Sequence, residues 1–198
     1  MKIKILDQSD TKISFQLEGA TTAFANALRR TMIAYVPTYA IDTVVFVQNS
    51  SILYDEIVAH RLGLIPLKTD LSADLLLSKK TQTVKFTLDK KGPCTVYSAD
   101  LKTKDKVVKP VYEKMPIAML GAGHSLTFEA EAILGIGKDH AKWQPTTVCY
   151  YTQLEGKKDT FIFTVETSGA LPPEKVVKTA SKILEQKAKD FESAMKEL

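Results

Sequence analysis

The feature that most constrains the fold is the C-terminal segment 172–198, which carries a long apolar seam with helical spacing. Pro172 and Pro173 stand where a first helical turn tolerates proline, so we predict that a helix begins there. Such a helix would span about 35–40 Å. The seam recurs at three- and four-residue steps through Val176, Val177, Ala180, Ile183, Leu184, Lys187 or Ala188, Phe191, Met195 and Leu198.

The predicted strands are too short to cover this helix. Residues 2–7, 12–18 and 161–165 alternate apolar and polar side chains, which is typical of half-buried strands. Strands of about six to eight residues reach only ~20–27 Å. A helix that merely covers its own sheet is the simpler alternative, but part of the seam would then stay exposed. We therefore expect a partner chain to cover it.

The N-terminal part predicts a hairpin, a helix and a strand. Residues 2–18 form the hairpin, with one face buried. The helix is capped by Thr21 or Thr22 and ended by Pro37, and a strand follows over 40–48. The apolar stripe of the helix contains Phe24, Ala27, Leu28, Met32 and Tyr35. The residues on or beside its other face are Asn26, Arg29 and Arg30.

The middle of the chain predicts a separate β-rich domain. A short helix over 54–62 is followed by Gly63 and Pro66, and 81–151 contains only short strand-like pieces. The predicted fold class is α+β. A discontinuous domain formed by 1–49 and 158–198 holds a mostly antiparallel sheet with two helices. The β-rich domain, 50–157, is inserted into it.

Composition narrows the class of protein. The 198 residues are 44% hydrophobic and 25% charged, as in ordinary globular proteins, and the net charge is only +4. No stretch has the length and hydrophobicity of a membrane span, and the N-terminus lacks the pattern of a signal peptide, so we expect a cytoplasmic protein. The basic excess at Lys79, Lys80 and 102–109 is typical of a solvated loop face.

Catalytic and metal-binding patterns are weak in this sequence. His60, His124 and His140 show no metal-like spacing, and Cys94 and Cys149 lie far apart. The glycine-containing run 135–139 lacks phosphate-loop spacing, so we interpret it as a loop in which glycine supplies positive φ. We expect no catalytic residue and no metal site.

Five segments, read in order, resemble one family over most of the chain. They are 26–32, 36–42, 49–51, 55–67 and 137–145. They are similar to the family of the archaeal RNA polymerase D subunits, which is related to the N-terminal domain of the bacterial α subunit. The third-largest subunit of eukaryotic polymerase II belongs to the same family.

This resemblance implies a non-catalytic assembly subunit of DNA-directed RNA polymerase. The discontinuous domain would be a dimerisation domain that pairs with the small α-like subunit L. The chain would form a platform for the second-largest catalytic subunit, with small subunits N and P nearby. It would meet DNA only through the whole complex and would not bind membranes.

The resemblance also implies which residues meet each partner. Asn26, Arg29 and Arg30 would contact the large subunit, and we assign His60 and Arg61 to the same contact. Arginine suits this role because its planar guanidinium group can donate two hydrogen bonds to carboxylates or carbonyls. The predicted contacts with the small α-like partner are Phe24, Leu28, Met32, Val177, Ala180, Ile183, Leu184, Phe191 and Met195.

Two departures from the family pattern and two alternatives remain. Many relatives bind an iron–sulfur cluster or zinc through a cysteine-rich insertion. Between Gly92 and Gly137 this chain has a single cysteine, Cys94, so we expect no such cofactor. The second, DNA-binding domain of the bacterial α subunit is also expected to be absent. The alternatives are a bacterial-α-like homodimer and a small basic nucleic-acid-binding module.

Overall fold

A computed structural model describes residues 1–71 and 83–196. Within them the chain forms three α-helices and ten β-strands, and neighbouring strands pair antiparallel wherever their register is resolved. The predicted α+β class is confirmed. None of the described helices is long and apolar enough to cross a membrane. The cations Lys79 and Lys80 and the seam residue Leu198 lie outside the described residues.

The chain divides into two compact units, of which the first combines Met1–Pro37 with Ile136–Leu198. Its sheet has the strand order β1-β2-β10-β9. The strands are β1 (Lys2–Gln8), β2 (Lys12–Glu18), β9 (Thr146–Gln153) and β10 (Thr160–Thr167). The helices are α1 (Thr22–Ala34) and the last helix, here α3 (Pro173–Lys196).

The core of the first unit lies between this sheet and its helices, which contact each other and the three strands β2, β9 and β10. Phe15 and Phe163 are paired across the sheet, and their stacked rings have centroids 5.0 Å apart. Both side chains are buried, as are Leu17, Phe161 and Val165. The alternation read from 12–18 and 161–165 therefore identifies the buried face of two central strands.

Strand β1 differs from the prediction. The hairpin forms as expected, but every residue of β1 is exposed, including Ile3 at 65% and Ile5 at 53%. β1 is the edge strand, and the helices pack mainly on β2, β9 and β10. Its apolar side chains therefore extend the inner face of the sheet without being covered.

The second unit is Thr38–Gly135. It contains a four-stranded sheet with the order β3-β8-β4-β6, a two-stranded sheet β5-β7, and the short helix α2. The elements are β3 (Pro37–Asn49), α2 (Asp55–Gly63), β4 (Val84–Lys91), β5 (Cys94–Tyr97), β6 (Lys102–Thr103), β7 (Pro116–Leu120) and β8 (Ser125–Ile136). Its core buries Leu62, Leu67, Phe86, Ile117 and Phe128.

The boundaries of these units differ from the predicted ones at 49/50 and 157/158. β3 pairs with β8, so it belongs to the second unit rather than to the N-terminal part of the first. β9 pairs with β10, for example Tyr151 with Phe163, so it belongs to the first unit. Strand pairing, which local composition does not reveal, sets both boundaries.

Candidate functional site

The apolar seam of α3 passes from buried to exposed along the helix. Ala180 is completely buried, Ile183 and Leu184 are half-buried, and Phe191 and Met195 are 69% and 54% exposed. The helix has 24 residues, or about 36 Å. The strands β2 and β10 on which it packs have only 7 and 8 residues. The last turns of α3 therefore project beyond their own sheet with the seam uncovered.

The opposite face of α3 is polar and internally paired. Hydrogen bonds from Lys178 and Lys189 lower the pKa values of Glu174 and Glu185 below the usual glutamate range. Three ion pairs, each spaced by four residues, join Glu174 to Lys178, Glu185 to Lys189, and Glu192 to Lys196. By helical spacing these carboxylates point away from the seam.

One cation interrupts the seam. Lys187 lies one turn after Ile183 and one turn before Phe191, and its Nζ is 3.3 Å from the ring centroid of Tyr35. Tyr35 is the C-cap residue of α1. The Nζ of Lys138 is 5.9 Å from the same centroid. Among the described residues neither ammonium group forms an ion pair, so the tyrosine ring carries a cation–π contact without a neutralising carboxylate.

Gly137 brings the loop with Lys138 against the end of α1. The amide of Lys138 donates to the carbonyl of Ala34 at 2.9 Å, satisfying one of the free carbonyls at the helix end. A Cβ on Gly137 would lie 2.4 Å from the carbonyl oxygen of Ile33 and 2.8 Å from Cγ of Gln144. Gly137 does not have positive φ. The predicted reason for this glycine is therefore corrected: close backbone approach requires it.

Gly137→Ala is expected to lower the free energy of unfolding by about 1–3 kcal/mol, because the new methyl group forces the loop away from α1. Urea unfolding followed by circular dichroism measures the change. Gly121→Ala is the control, since a Cβ there would approach no closer than 3.7 Å to His124. Equal unfolding midpoints for the two variants would refute the close-approach explanation.

The two arginines of α1 differ in their surroundings. Arg29 is half-buried and its Nη2 donates to Oδ1 of Asn26 at 3.2 Å, whereas Arg30 is exposed. Asn26 is exposed as well. This contact holds the Arg29 side chain along the helix. The three predicted large-subunit contacts on α1 thus lie close together at the surface of the first unit.

The other two predicted large-subunit contacts lie on α2 in the second unit. His60 and Arg61 are both exposed in the last turn of this helix. Nη1 of Arg61 donates to the carbonyl of Ile117 at 2.9 Å. Oδ1 of Asp55, one turn earlier, accepts from Nδ2 of Asn49 at 2.7 Å. These bonds tie α2 to its own unit, and contact with a partner remains a prediction.

The residues predicted to contact the small α-like partner fall into three groups by their exposure. Leu28, Met32 and Ala180 are 5%, 0% and 0% exposed, so they are core residues that support the surface from beneath. They are covered in the chain alone, and their contact with a partner stays a prediction. The half-buried members are Phe24, Val177, Ile183 and Leu184. Phe191 and Met195 form the exposed part.

The Tyr35–Lys187 contact was not predicted. Helical spacing places Lys187 within the seam, and Tyr35 was assigned to the apolar stripe of α1. No local pattern indicates that the two meet, because they are brought together only when α1 and α3 pack. The one available signal was that Lys187 is a charged side chain inside an otherwise apolar seam, which indicates that it contacts another element.

Cys149 is a shielded thiol. Its Sγ donates to the carbonyl of Arg29 at 4.0 Å. Burial raises the pKa of the Cys149 thiol to about 11, and the nearby positive charge of Arg29 offsets only part of this effect. The thiolate is the reactive form of cysteine. Cys149 is therefore poorly suited to act as a nucleophile near neutral pH.

Alkylation of Cys149 by iodoacetamide should keep accelerating up to about pH 10 in the folded chain. The pKa near 11 means that the thiolate fraction still increases throughout this range. A Cys94→Ser variant leaves Cys149 as the only thiol, and mass spectrometry follows the rate. In urea the rate should level off near the ordinary cysteine pKa of about 8.5. Levelling at the same pH in the folded chain would contradict the burial effect.

Clusters of metal-binding side chains and clefts are the other places where the described residues could carry chemistry. The described residues contain no group of three or more His, Cys, Asp or Glu side chains placed to hold a metal ion. A cleft of about 810 Å³ in the second unit is bordered by β3, β4, β6 and β8. Lys85 and Glu131 in its lining are ion-paired at 3.4 Å.

Comparison with known proteins identifies the family of this chain. The family model described as "RNA polymerase Rpb3/Rpb11 dimerisation domain" matches residues 14–188. The subunit Rpo3 of DNA-directed RNA polymerase from Pyrococcus horikoshii is 40% identical over 256 aligned residues, covering 100% of this chain and 99% of the relative. The Rpo3 subunit of Methanocaldococcus jannaschii is 45% identical over 193 residues, covering 96% and 95% of the two chains.

More distant relatives extend the same match. The Rpo3 subunit of Natronomonas pharaonis is 33% identical over 245 residues, covering 98% of this chain and 97% of the relative. The family resemblance seen in the sequence is thereby confirmed. The chain belongs to the RNA polymerase Rpb3/Rpb11 dimerisation-domain family, alongside the archaeal Rpo3 subunits.

Proposed function

We propose that this chain is a non-catalytic assembly subunit of DNA-directed RNA polymerase, which heterodimerises with the small α-like subunit L through α1 and the exposed part of the α3 seam. The observation that carries the proposal is the exposure of Phe191 and Met195 at the end of a helix that outruns its own sheet. An apolar surface of this kind calls for a partner. The match to the dimerisation-domain model begins at residue 14 and ends at residue 188. Both positions lie in the first unit, which also contains α3.

The second part of the proposal concerns the large subunits. Two helices offer hydrogen-bond donors to the second-largest catalytic subunit. The donors are Asn26, Arg29 and Arg30 on α1, and His60 and Arg61 on α2. Small subunits N and P would bind nearby, and the active site for nucleotide addition would belong to other chains. As a polymerase subunit the chain would act in the cytoplasm and meet DNA only within the complex.

Capture of the tagged full-length chain from its native lysate tests this function. Quantitative mass spectrometry should find the small α-like subunit and the second-largest subunit at about one copy per copy of the chain. The mass of the purified chain, measured by light scattering, distinguishes the homodimer alternative. A stable dimer of the chain with itself, without polymerase subunits in the captured material, would overturn the proposal.

We also propose that the chain carries no iron–sulfur cluster or zinc. The alignment with the Pyrococcus relative extends over 256 residues, more than the 198 of this chain, so that relative contains residues without a counterpart here. Cys94 lies in the second unit and Cys149 in the first. A closed site of four thiolates requires more cysteines than these.

Elemental analysis of the purified chain is expected to find less than about one-tenth of an equivalent of iron or zinc, given the four ligands that a structural site requires. The sample is dialysed against a chelator first, and a Cys94→Ser variant serves as the control for adventitious binding to this half-buried thiol. Near-stoichiometric iron or zinc that persists after dialysis against the chelator would contradict the prediction of a metal-free chain.

A further inference from the structure

We propose that Lys187, held over the ring of Tyr35 inside the α3 seam, selects a partner helix that presents a carboxylate and disfavours pairing with a second copy of this chain. The inference rests on the proposed function, since it takes the small α-like subunit as the partner. It adds the chemistry by which that partner is recognised. It also accounts for hetero- rather than homodimerisation.

Lys187 places a positive charge inside the apolar seam of α3. Lys187 is exposed and lies within the seam between Ile183 and Phe191. The Tyr35 ring, 3.3 Å from its Nζ, holds the side chain at the surface where α1 meets α3. A partner that covers Phe191 must therefore also cover an ammonium group. Lys138, 5.9 Å from the same ring, adds a second positive charge.

Covering the Lys187 ammonium group with a partner costs free energy. An ammonium group removed from water without a compensating anion is strongly unfavourable, and a well-placed carboxylate offsets this cost. The tyrosine ring supplies only partial compensation. The surface thus fits a helix that combines apolar side chains with one Asp or Glu facing Lys187.

A second copy of the chain presents no carboxylate at the centre of its described seam, where Lys187 lies. Helix α1 contains no acidic residue and carries Arg29 and Arg30. The glutamates of α3 lie on the face opposite the seam, where Glu174, Glu185 and Glu192 are each paired with a lysine of the same helix. Asp190, at the flank, is hydrogen-bonded to Gln186 at 2.7 Å. Two copies meeting through their seams would bring the Lys187 side chains to a centre without a carboxylate, because Asp190, the nearest one, lies at the flank and accepts from its own Gln186.

Two variants of the full-length chain, Lys187→Glu and Lys187→Met, test the proposal in complex with the purified small α-like subunit. Affinity is measured by titration calorimetry at two salt concentrations, and self-association by sedimentation equilibrium. Lys187→Glu should weaken the heterodimer by roughly 30-fold or more, since it places an anion against the partner's carboxylate. Lys187→Met should make the isolated chain self-associate at least about tenfold more strongly, because the buried charge is gone. Lys182→Met, exposed on the far face, is the control.

A charge exchange completes the test. Each carboxylate on the partner's contacting helices is changed to lysine in turn, and one of these changes should restore binding to the Lys187→Glu chain. Unchanged heterodimer affinity with Lys187→Glu would overturn the proposal while leaving the proposed function intact. So would unchanged self-association of Lys187→Met. Failure of the unmodified chain to bind the small α-like partner at all would instead overturn the proposed function. Circular dichroism melts establish that both variants fold.

Discussion

A chain carrying Phe191→Asp and Met195→Asp is expected to fold normally and to lose the proposed 1:1 complex with the small α-like subunit. Both side chains are largely exposed in the chain alone, at 69% and 54%, so the changes leave its core intact. In the complex the two carboxylates would be desolvated against apolar side chains. That penalty is several kcal/mol, a large part of the roughly 8 kcal/mol of a micromolar association.

Co-expression followed by size exclusion measures this loss. Ser193→Asp, exposed on the same stretch of α3 but outside the seam, adds a charge without touching the proposed surface. Ile183 and Leu184 are less suitable positions, because they are half-buried and their substitution also disturbs the fold. Co-elution of the doubly substituted chain with its partner, as for the parent, would rule out this surface.

Arg29→Ala combined with Arg30→Ala should leave the fold and the proposed pairing with the small α-like partner intact, and should weaken the proposed binding of the second-largest subunit. Neither side chain belongs to the core of α1, which buries Ala25, Leu28 and Met32. Loss of charge-assisted hydrogen bonds that are buried at an interface costs roughly 2–5 kcal/mol. Native gels of reconstituted polymerase subassemblies measure the effect.

A change of equal charge elsewhere provides the comparison. Lys2→Ala with Lys4→Ala removes two exposed cations from the edge strand β1. This control separates a specific contact from a general electrostatic effect, which salt would screen. If both double variants assemble as well as the parent chain, the large subunit is bound by another surface.

The elements that the sequence determined by itself are those whose signal is local. The side-chain oxygen of Thr21 accepts from the amide of Phe24 at 3.2 Å, as expected for the cap of α1. The short helix α2 and the long helix α3 appear close to where periodicity and proline predicted them. The alternation in β2 and β10 identifies their buried faces. Helix periodicity and capping depend on residues only a few positions apart, so one sequence suffices to read them.

The tertiary structure decided which apolar faces are covered. The same alternation leads to a buried β2 and an exposed β1, because β1 is the edge strand. The seam of α3 is buried at Ala180 and exposed at Phe191, because the helix is longer than the strands on which it packs. Periodicity identifies an apolar face, but burial depends on what packs against it. That neighbour comes from distant parts of the chain.

The contacts at the end of α1 show most clearly that local sequence patterns do not reveal which distant residues pack together. Gly137 is needed because its backbone approaches Ile33, more than a hundred positions earlier in the chain. The cation–π pair of Lys187 and Tyr35 likewise joins residues far apart in sequence. The residues and their chemistry are visible in the sequence, whereas their meeting requires the packing of α1 against α3. These contacts join residues that are distant in sequence, and they determine which surface stays exposed for a partner.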